Sequence, residues 1–137
     1  VSYLVDTNVI SELRKGHRCH AAVAAWWSTV TDDEVFFSVL TIGEIRKGIE
    51  TLRPRDPRSA AALDKWLFRL VRDHADHILP VELDIVDEWG HMNAPNRLPV
   101  IDGLLAATAK VRGLTLVTRN LSDVARTGVA TLDPWQA

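Results

Sequence analysis

Cysteine is almost missing: Cys19 is alone in 137 residues, so no intrachain disulfide can form and nothing in the chain asks for an oxidising compartment. Long apolar runs are missing too. No stretch approaches the ~20 apolar residues of a membrane span, and the N-terminal residues lack a basic segment followed by an apolar one. The expectation is a soluble protein of a reducing cytoplasm, with no membrane partner. Strong charge of either sign is also absent, since 16 Lys and Arg against 18 Asp and Glu leave a formal net charge of −2. That balance excludes a domain that coats nucleic acid by charge alone. One tyrosine stands against five tryptophans, a balance with no functional reading of its own.

What is present begins with Tyr3-Leu4-Val5, a short apolar strand that runs straight into Asp6. Along the chain, strands and helices alternate. A short helix is expected from Asn8 to Arg14, a second from His20 to Val30, and a strand over Glu34–Ser38. A helix carrying Ile42, Ile45, Ile49 and Leu52 follows, with Thr41 and Glu44 matching a capping box. Next come an amphipathic helix over Ser59–Asp73 and a short strand over His77–Val81, whose Pro80 marks an edge. A helix capped by Asp84 and an Ala- and Leu-rich helix over Val100–Arg112 lead to the strand Leu114–Thr118. A last strand is expected at Val129–Leu132. Within 137 residues this alternation reads as one α/β domain, a three-layer α/β/α sandwich around a central, mainly parallel sheet.

Four acids share one kind of position on that plan. Asp6 follows the first strand, Glu44 lies in the helix after the second, Asp102 opens the helix before the fourth, and Asp123 follows the fourth. Ligands of open α/β sheets sit beyond the carboxyl ends of the strands, so the four converge on one crevice if the helix of Asp102 starts at that edge. Each has a local reading as a cap, capping-box or turn residue. Together they restrict the chemistry, because two carboxylates about 4 Å apart repel by roughly 4 kcal/mol at an effective dielectric near 20. Such a cluster needs cations or protons, and oxygen-only donors select hard cations: Mg²⁺, or Mn²⁺ in its place. Divalent cations in an acidic crevice suit phosphodiester hydrolysis by activated water, with no Ser, Cys or His nucleophile. Asp6 and Asp102 are the expected direct ligands. Glu44 is a ligand or a water-orienting group, and Asp123 completes the set.

The charge distribution agrees with a polyanionic substrate. Between Ile45 and Arg72, Arg46, Lys47, Arg53, Arg55, Arg58, Lys65, Arg69 and Arg72 outnumber Glu50, Asp56 and Asp64. The pairs His17/His20 and His74/His77 have metal-like spacing but lack the further ligands of a structural zinc site. Trp66 and Trp89 fall at apolar helix positions and read as core, while Trp26 and Trp27 are adjacent and cannot share one helix face. A receiver or haloacid-dehalogenase chemistry is disfavoured, because Asn8 stands two after Asp6 where a second Asp is needed and Thr118 is followed by Arg119.

The ordered blocks Asp6-Thr7-Asn8-Val9-Ile10-Ser11-Glu12, Ser38-Val39-Leu40-Thr41-Ile42-Gly43-Glu44-Ile45, Asp102-Gly103-Leu104-Leu105-Ala106-Ala107-Thr108-Ala109 and Thr118-Arg119-Asn120-Leu121-Ser122-Asp123 resemble those of PIN-domain ribonucleases, above all toxins of the VapC and FitB type. One departure is Val124, where the last block more often carries Phe. The resemblance implies a Mg²⁺-dependent endoribonuclease with Asp6, Glu44, Asp102 and Asp123 as its acidic site and Asn8, Thr118 and Asn120 as supporting groups. It also implies an RNA substrate, a homodimer or larger assembly, and a cognate antitoxin through which operator DNA is bound. The contrasting expectation is a PIN-like RNA- or protein-binding module without catalysis.

Overall fold

The computed structural model describes residues 1–136. Five strands, β1 (Tyr3–Val5), β2 (Val35–Ser38), β3 (Ile78–Leu79), β4 (Thr115–Val117) and β5 (Thr131–Leu132), form one sheet in the order β3-β2-β1-β4-β5. Every pairing is parallel. Seven helices connect them: α1 (Thr7–Leu13), α2 (Ala21–Ser28), α3 (Val39–Leu52), α4 (Pro57–Asp73), α5 (Leu83–Asn93), α6 (Val100–Arg112) and α7 (Leu121–Val124). Among the described residues no helix is long and apolar enough to cross a membrane.

The two-residue period of the strands divides the core. Val5, Phe37 and Val117 face one side and pack with Val9, Ile10, Val23, Trp26, Ile45, Ile49 and Leu67 from α1 to α4. Their neighbours Leu4 and Leu116 face the other side and pack with Ile85, Met92, Leu105, Ala106 and Val124 from α5 to α7. Three layers result, as the alternation of strands and helices predicts. Val124 is buried within the second cluster, so the smaller side chain in the last block is accommodated there. Trp66 and Trp89 pack half-buried against the first and second clusters respectively. Trp26 is buried, whereas Trp27 is partly exposed beside it.

Two expected caps are corrected. Helix α3 starts directly from β2, with Ser38 as its cap: the Ser38 hydroxyl accepts from the Leu40 N–H at 3.1 Å. Thr41 is therefore a fully buried helical residue with no hydrogen-bond partner for its hydroxyl, and Glu44 lies in the second turn. The strand runs into the helix without a loop, which moves the cap three residues earlier. The true capping box is Thr31 with Glu34, at the short 3₁₀ turn before β2. Asp84 is likewise not a cap. Glu82 occupies that position, and Asp84 sits in the first turn, where it pairs with Arg112 of α6 at 2.7 Å.

The order of connections places the site. The chain moves outward from β1 through β2 to β3, then returns to the other side of β1 with β4 and β5. Direction reverses between β1 and β4, the place where ligands collect in doubly wound sheets. Asp6 and Thr118 stand just beyond the carboxyl ends of those two strands.

Candidate active site

Asp6 is at once the end of β1 and the cap of α1. Its extended backbone (φ −74°, ψ 159°) turns the carboxylate onto the helix, where Oδ1 accepts from the Thr7 N–H at 2.7 Å. The Thr118 hydroxyl donates to the other oxygen at 2.8 Å. Asn8 Nδ2 approaches both groups, 3.5 Å from Asp6 Oδ2 and 3.4 Å from Thr118 Oγ1. The Asn120 backbone N–H donates to Thr118 Oγ1 at 3.1 Å, so Asn120 supports the site through its main chain. Asp6 and Thr118 are both buried, at 6% and 1% exposure. A carboxylate this poor in water normally has a cation beside it. Asp6 has only neutral donors.

Glu44 reaches the same place from α3. Its Oε1 accepts from the Thr7 hydroxyl at 2.6 Å, so Thr7 bridges two of the acids, with its N–H on Asp6 and its O–H on Glu44. Sequence reasoning missed that role. Its only signal was the position of Thr7 between the strand-end acid and the apolar stripe of α1. Asp102 enters from the first turn of α6 and is half-buried. Asp123, in α7, lies on the rim with Arg126 at 3.8 Å.

The electrostatics tie the four together. Burial pushes the Asp6 carboxyl up from its ordinary value, the Thr118 and Thr7 hydrogen bonds pull it back, and the negative charge of Glu44 raises it again. Asp102 is raised by burial first, then by Asp6, Glu44 and Asp123 in turn. Each of the other three acids is thus close enough to disturb Asp102. No ion pair among the described residues includes Asp6, Glu44 or Asp102.

The donor set fits a hard divalent cation in charge and in atom type. Its present geometry is open, because among the described residues no three His, Cys, Asp or Glu side chains are close enough to share one ion. Mg²⁺ is compatible with that openness, since it keeps several waters and takes only one or two carboxylates directly. Three of the four paired histidines are engaged elsewhere: His20 Nδ1 accepts from the Ala22 N–H, His74 Nδ1 lies 2.9 Å from the Leu70 carbonyl and His77 Nδ1 2.7 Å from that of Val35. The basic stretch is only partly free. Arg46 and Arg53 are joined with Glu50 and Asp64 in a four-residue ion-pair network.

A parallel sheet with acids gathered at its switch point is the arrangement of a PIN domain, and the model of that family, the PIN domain, matches residues 3–128. The chain belongs to the PIN-domain family. It is 28% identical over 138 residues to VapC ribonuclease Y4jK of Sinorhizobium fredii, covering 97% of each chain. It is also 28% identical over 139 residues to Toxin FitB of Neisseria gonorrhoeae, covering 96% of this chain and 97% of that one. The solved structure of FitAB bound to an IR36 DNA fragment superposes on it with a TM-score of 0.75 at 26% identity, over 97% of this chain and 95% of that chain. Its relatives are thus ribonucleases and toxins of the VapC and FitB type.

Proposed function

We propose that this chain is a Mg²⁺-dependent endoribonuclease and the toxin of a toxin–antitoxin pair. The observation that carries the reading is a buried carboxylate, Asp6, held by Thr7 and Thr118 without a cation and facing Glu44 and Asp102. When bound there, a divalent cation would supply an acidified water for attack on phosphorus and charge compensation at the leaving oxygen. Asp6 and Asp102 would hold it. Thr118 and Thr7 fix the Asp6 carboxylate in one rotamer, so little reorganisation is needed on loading. Glu44, anchored by the Thr7 hydroxyl through one oxygen, keeps its other oxygen free to orient a water or accept its proton. Asp123 completes the acidic rim.

An antitoxin fits the same charge logic. A protein segment placing an Arg or Lys among the four acids would substitute for the cation and block the site, and the complex would reach operator DNA through the antitoxin. The FitAB structure bound to DNA supports that partner. A homodimer or larger assembly belongs to the same reading.

The test is cleavage of a mixed pool of structured RNAs with Mg²⁺ or Mn²⁺, then with chelator, for the wild type and Asp6→Asn. Cleavage that requires both the metal and Asp6 is the expected result. An Asp6→Asn protein of wild-type activity would refute the metal assignment. Measurable Mn²⁺ binding without cleavage of any RNA would leave a binding module in place of the nuclease.

A further inference from the structure

Arg14 and Arg119 lie near the acidic crevice and, among the described residues, pair with no acid. Arg119 follows Thr118 at the end of β4, its backbone N–H 3.4 Å from Asn8 Oδ1, and its guanidinium lies 4.7 Å over the ring of Trp135. Arg14, just past the end of α1, lies 5.9 Å over the ring of Trp66 in α4. It shares a cavity of about 260 Å³ with Thr7, Glu44 and Trp66, so one hollow joins this arginine to Glu44 of the acidic site. These are the two cation–π contacts among the described residues, and neither arginine has a carboxylate within ion-pair distance. Their anchors are themselves fixed. Trp66 and Trp135 both pack against the first core cluster, and the Trp135 backbone N–H donates to Asp133 Oδ1 at 2.9 Å.

We infer that Arg14 and Arg119 are the two phosphate subsites flanking the scissile bond, so that a single RNA strand crosses the acidic centre from the α1–α4 side to the β4 side. This rests on the nuclease reading above. A carboxylate partner would neutralise each guanidinium and draw it away from an incoming anion. An indole face holds the cation in place at a cost small enough for a phosphate to outcompete it, because cation–π contacts at exposed sites are weaker than charge-assisted hydrogen bonds to an anion. Arginine also presents a planar fork that matches phosphate oxygens in pairs. Between the two cations, the four acids repel the backbone wherever a divalent cation does not bridge it. The strand is thus held on both flanks and reaches the centre only with metal.

Four-way comparison of the wild type, Arg14→Ala, Arg119→Ala and the double variant tests the inference, with Lys110→Ala as control. Lys110 lies at the opposite end of α6 from Asp102, paired with Glu88. Binding of a labelled mixed-sequence single-stranded RNA is titrated in chelator at several salt concentrations, and cleavage kinetics are measured in Mn²⁺. Each single variant should bind about tenfold more weakly. Each should lower the slope of log K against log salt by about 0.7, and the double variant by about 1.4. KM should rise with kcat little changed. Arg119→Lys should keep the slope while losing affinity, which a merely structural role would not produce. The inference is overturned if the wild type cleaves RNA in Mn²⁺ yet either alanine variant keeps its affinity and slope, and the nuclease reading then survives. A wild type that neither binds nor cleaves RNA overturns both. Unchanged RNA binding with weakened capture of an acidic protein would assign the arginines to a protein partner instead, and also overturns it.

Discussion

Thr118→Val isolates the hydrogen bond on which the geometry of the site depends. The substitution keeps the branched shape at a position with 1% exposure and removes one donor, the hydroxyl that lies 2.8 Å from Asp6 Oδ2. A hydrogen bond to a charged group contributes about 1.5–3 kcal/mol, and relief from burying the hydroxyl offsets part of the loss. The expected destabilisation of the metal-free protein near pH 7 is about 2 kcal/mol. For a chain of this size that is roughly 6–10 °C in Tm. The sign of the pH dependence follows from the ionised state of Asp6. The Thr118 bond favours the carboxylate and lowers a pKa that burial has raised. Its contribution is therefore present where Asp6 is ionised and fades as pH falls through the folded-state pKa of Asp6. Wild type and variant should converge in acid. Thermal and urea melts in chelator, stepped from pH 8 towards pH 4, give the difference directly, and Thr118→Ser should restore most of it. A difference below about 0.5 kcal/mol near pH 7, or one that does not change with pH, would refute the role given to this hydroxyl.

Asp102→Asn should abolish cleavage while raising the Tm of the metal-free protein at pH 8. The wild-type carboxyl has a raised pKa and so loses stability as pH rises through it; a lower Tm in the variant would contradict that assignment. Gly103→Ala places a Cβ 3.0 Å from Cδ1 and Nε1 of Trp89, whose buried Nε1 has no hydrogen-bond partner. Overpacking of about 1–3 kcal/mol should exceed the ~1 kcal/mol gain in helix propensity, so urea denaturation should show a net loss, and a more stable variant would mean that Trp89 yields freely. Glu50 and Asp64 are both held at about 2 by Arg53 and Arg46. Depressed carboxylates stabilise the fold above their unfolded pKa and lose that effect as pH falls towards 2, so the double variant Glu50→Gln, Asp64→Asn should show a flatter acid limb in thermal melts.

The parts of this fold legible in the sequence are those set by near neighbours. Leu4-Val5, Phe36-Phe37 and Leu116-Val117 alternate between the two core clusters as β-period residues must. The acids at strand ends follow from that alternation, because parallel strands share one carboxyl edge. Less legible was anything decided by competition at a distance. Ser38 displaces Thr41 as the cap of α3 because the helix leaves β2 without a loop. Asp84 is drawn to Arg112, 28 residues away, while Glu82 takes the cap position. The basic stretch reads as a uniform cationic face until packing of α3 against α4 joins Arg46 and Arg53 to Glu50 and Asp64. Of the supporting residues, Thr118 and Asn8 act through side chains, Asn120 through its backbone, and Thr7 was hidden behind its ordinary role as a helix residue.

That division has a functional logic. Glu50, Asp64, Asp84 and Glu88 on the surface of α3 to α5 are paired with arginines or lysines, whereas Asp6 and Glu44 at the switch point are held by threonine hydroxyls and one backbone N–H. Neutral donors fix a carboxylate as firmly as a lysine would and leave its charge uncompensated. A lysine inserted between Asp6 and Asp102 would stabilise the fold and, on the proposed nuclease reading, occupy the position of the divalent cation. Arg14 and Arg119 lie over tryptophan faces and, among the described residues, have no carboxylate within ion-pair distance. On the proposed reading, stability withheld at the crevice is available to the cation that enters it, and the rest of the molecule carries the cost through its two apolar clusters.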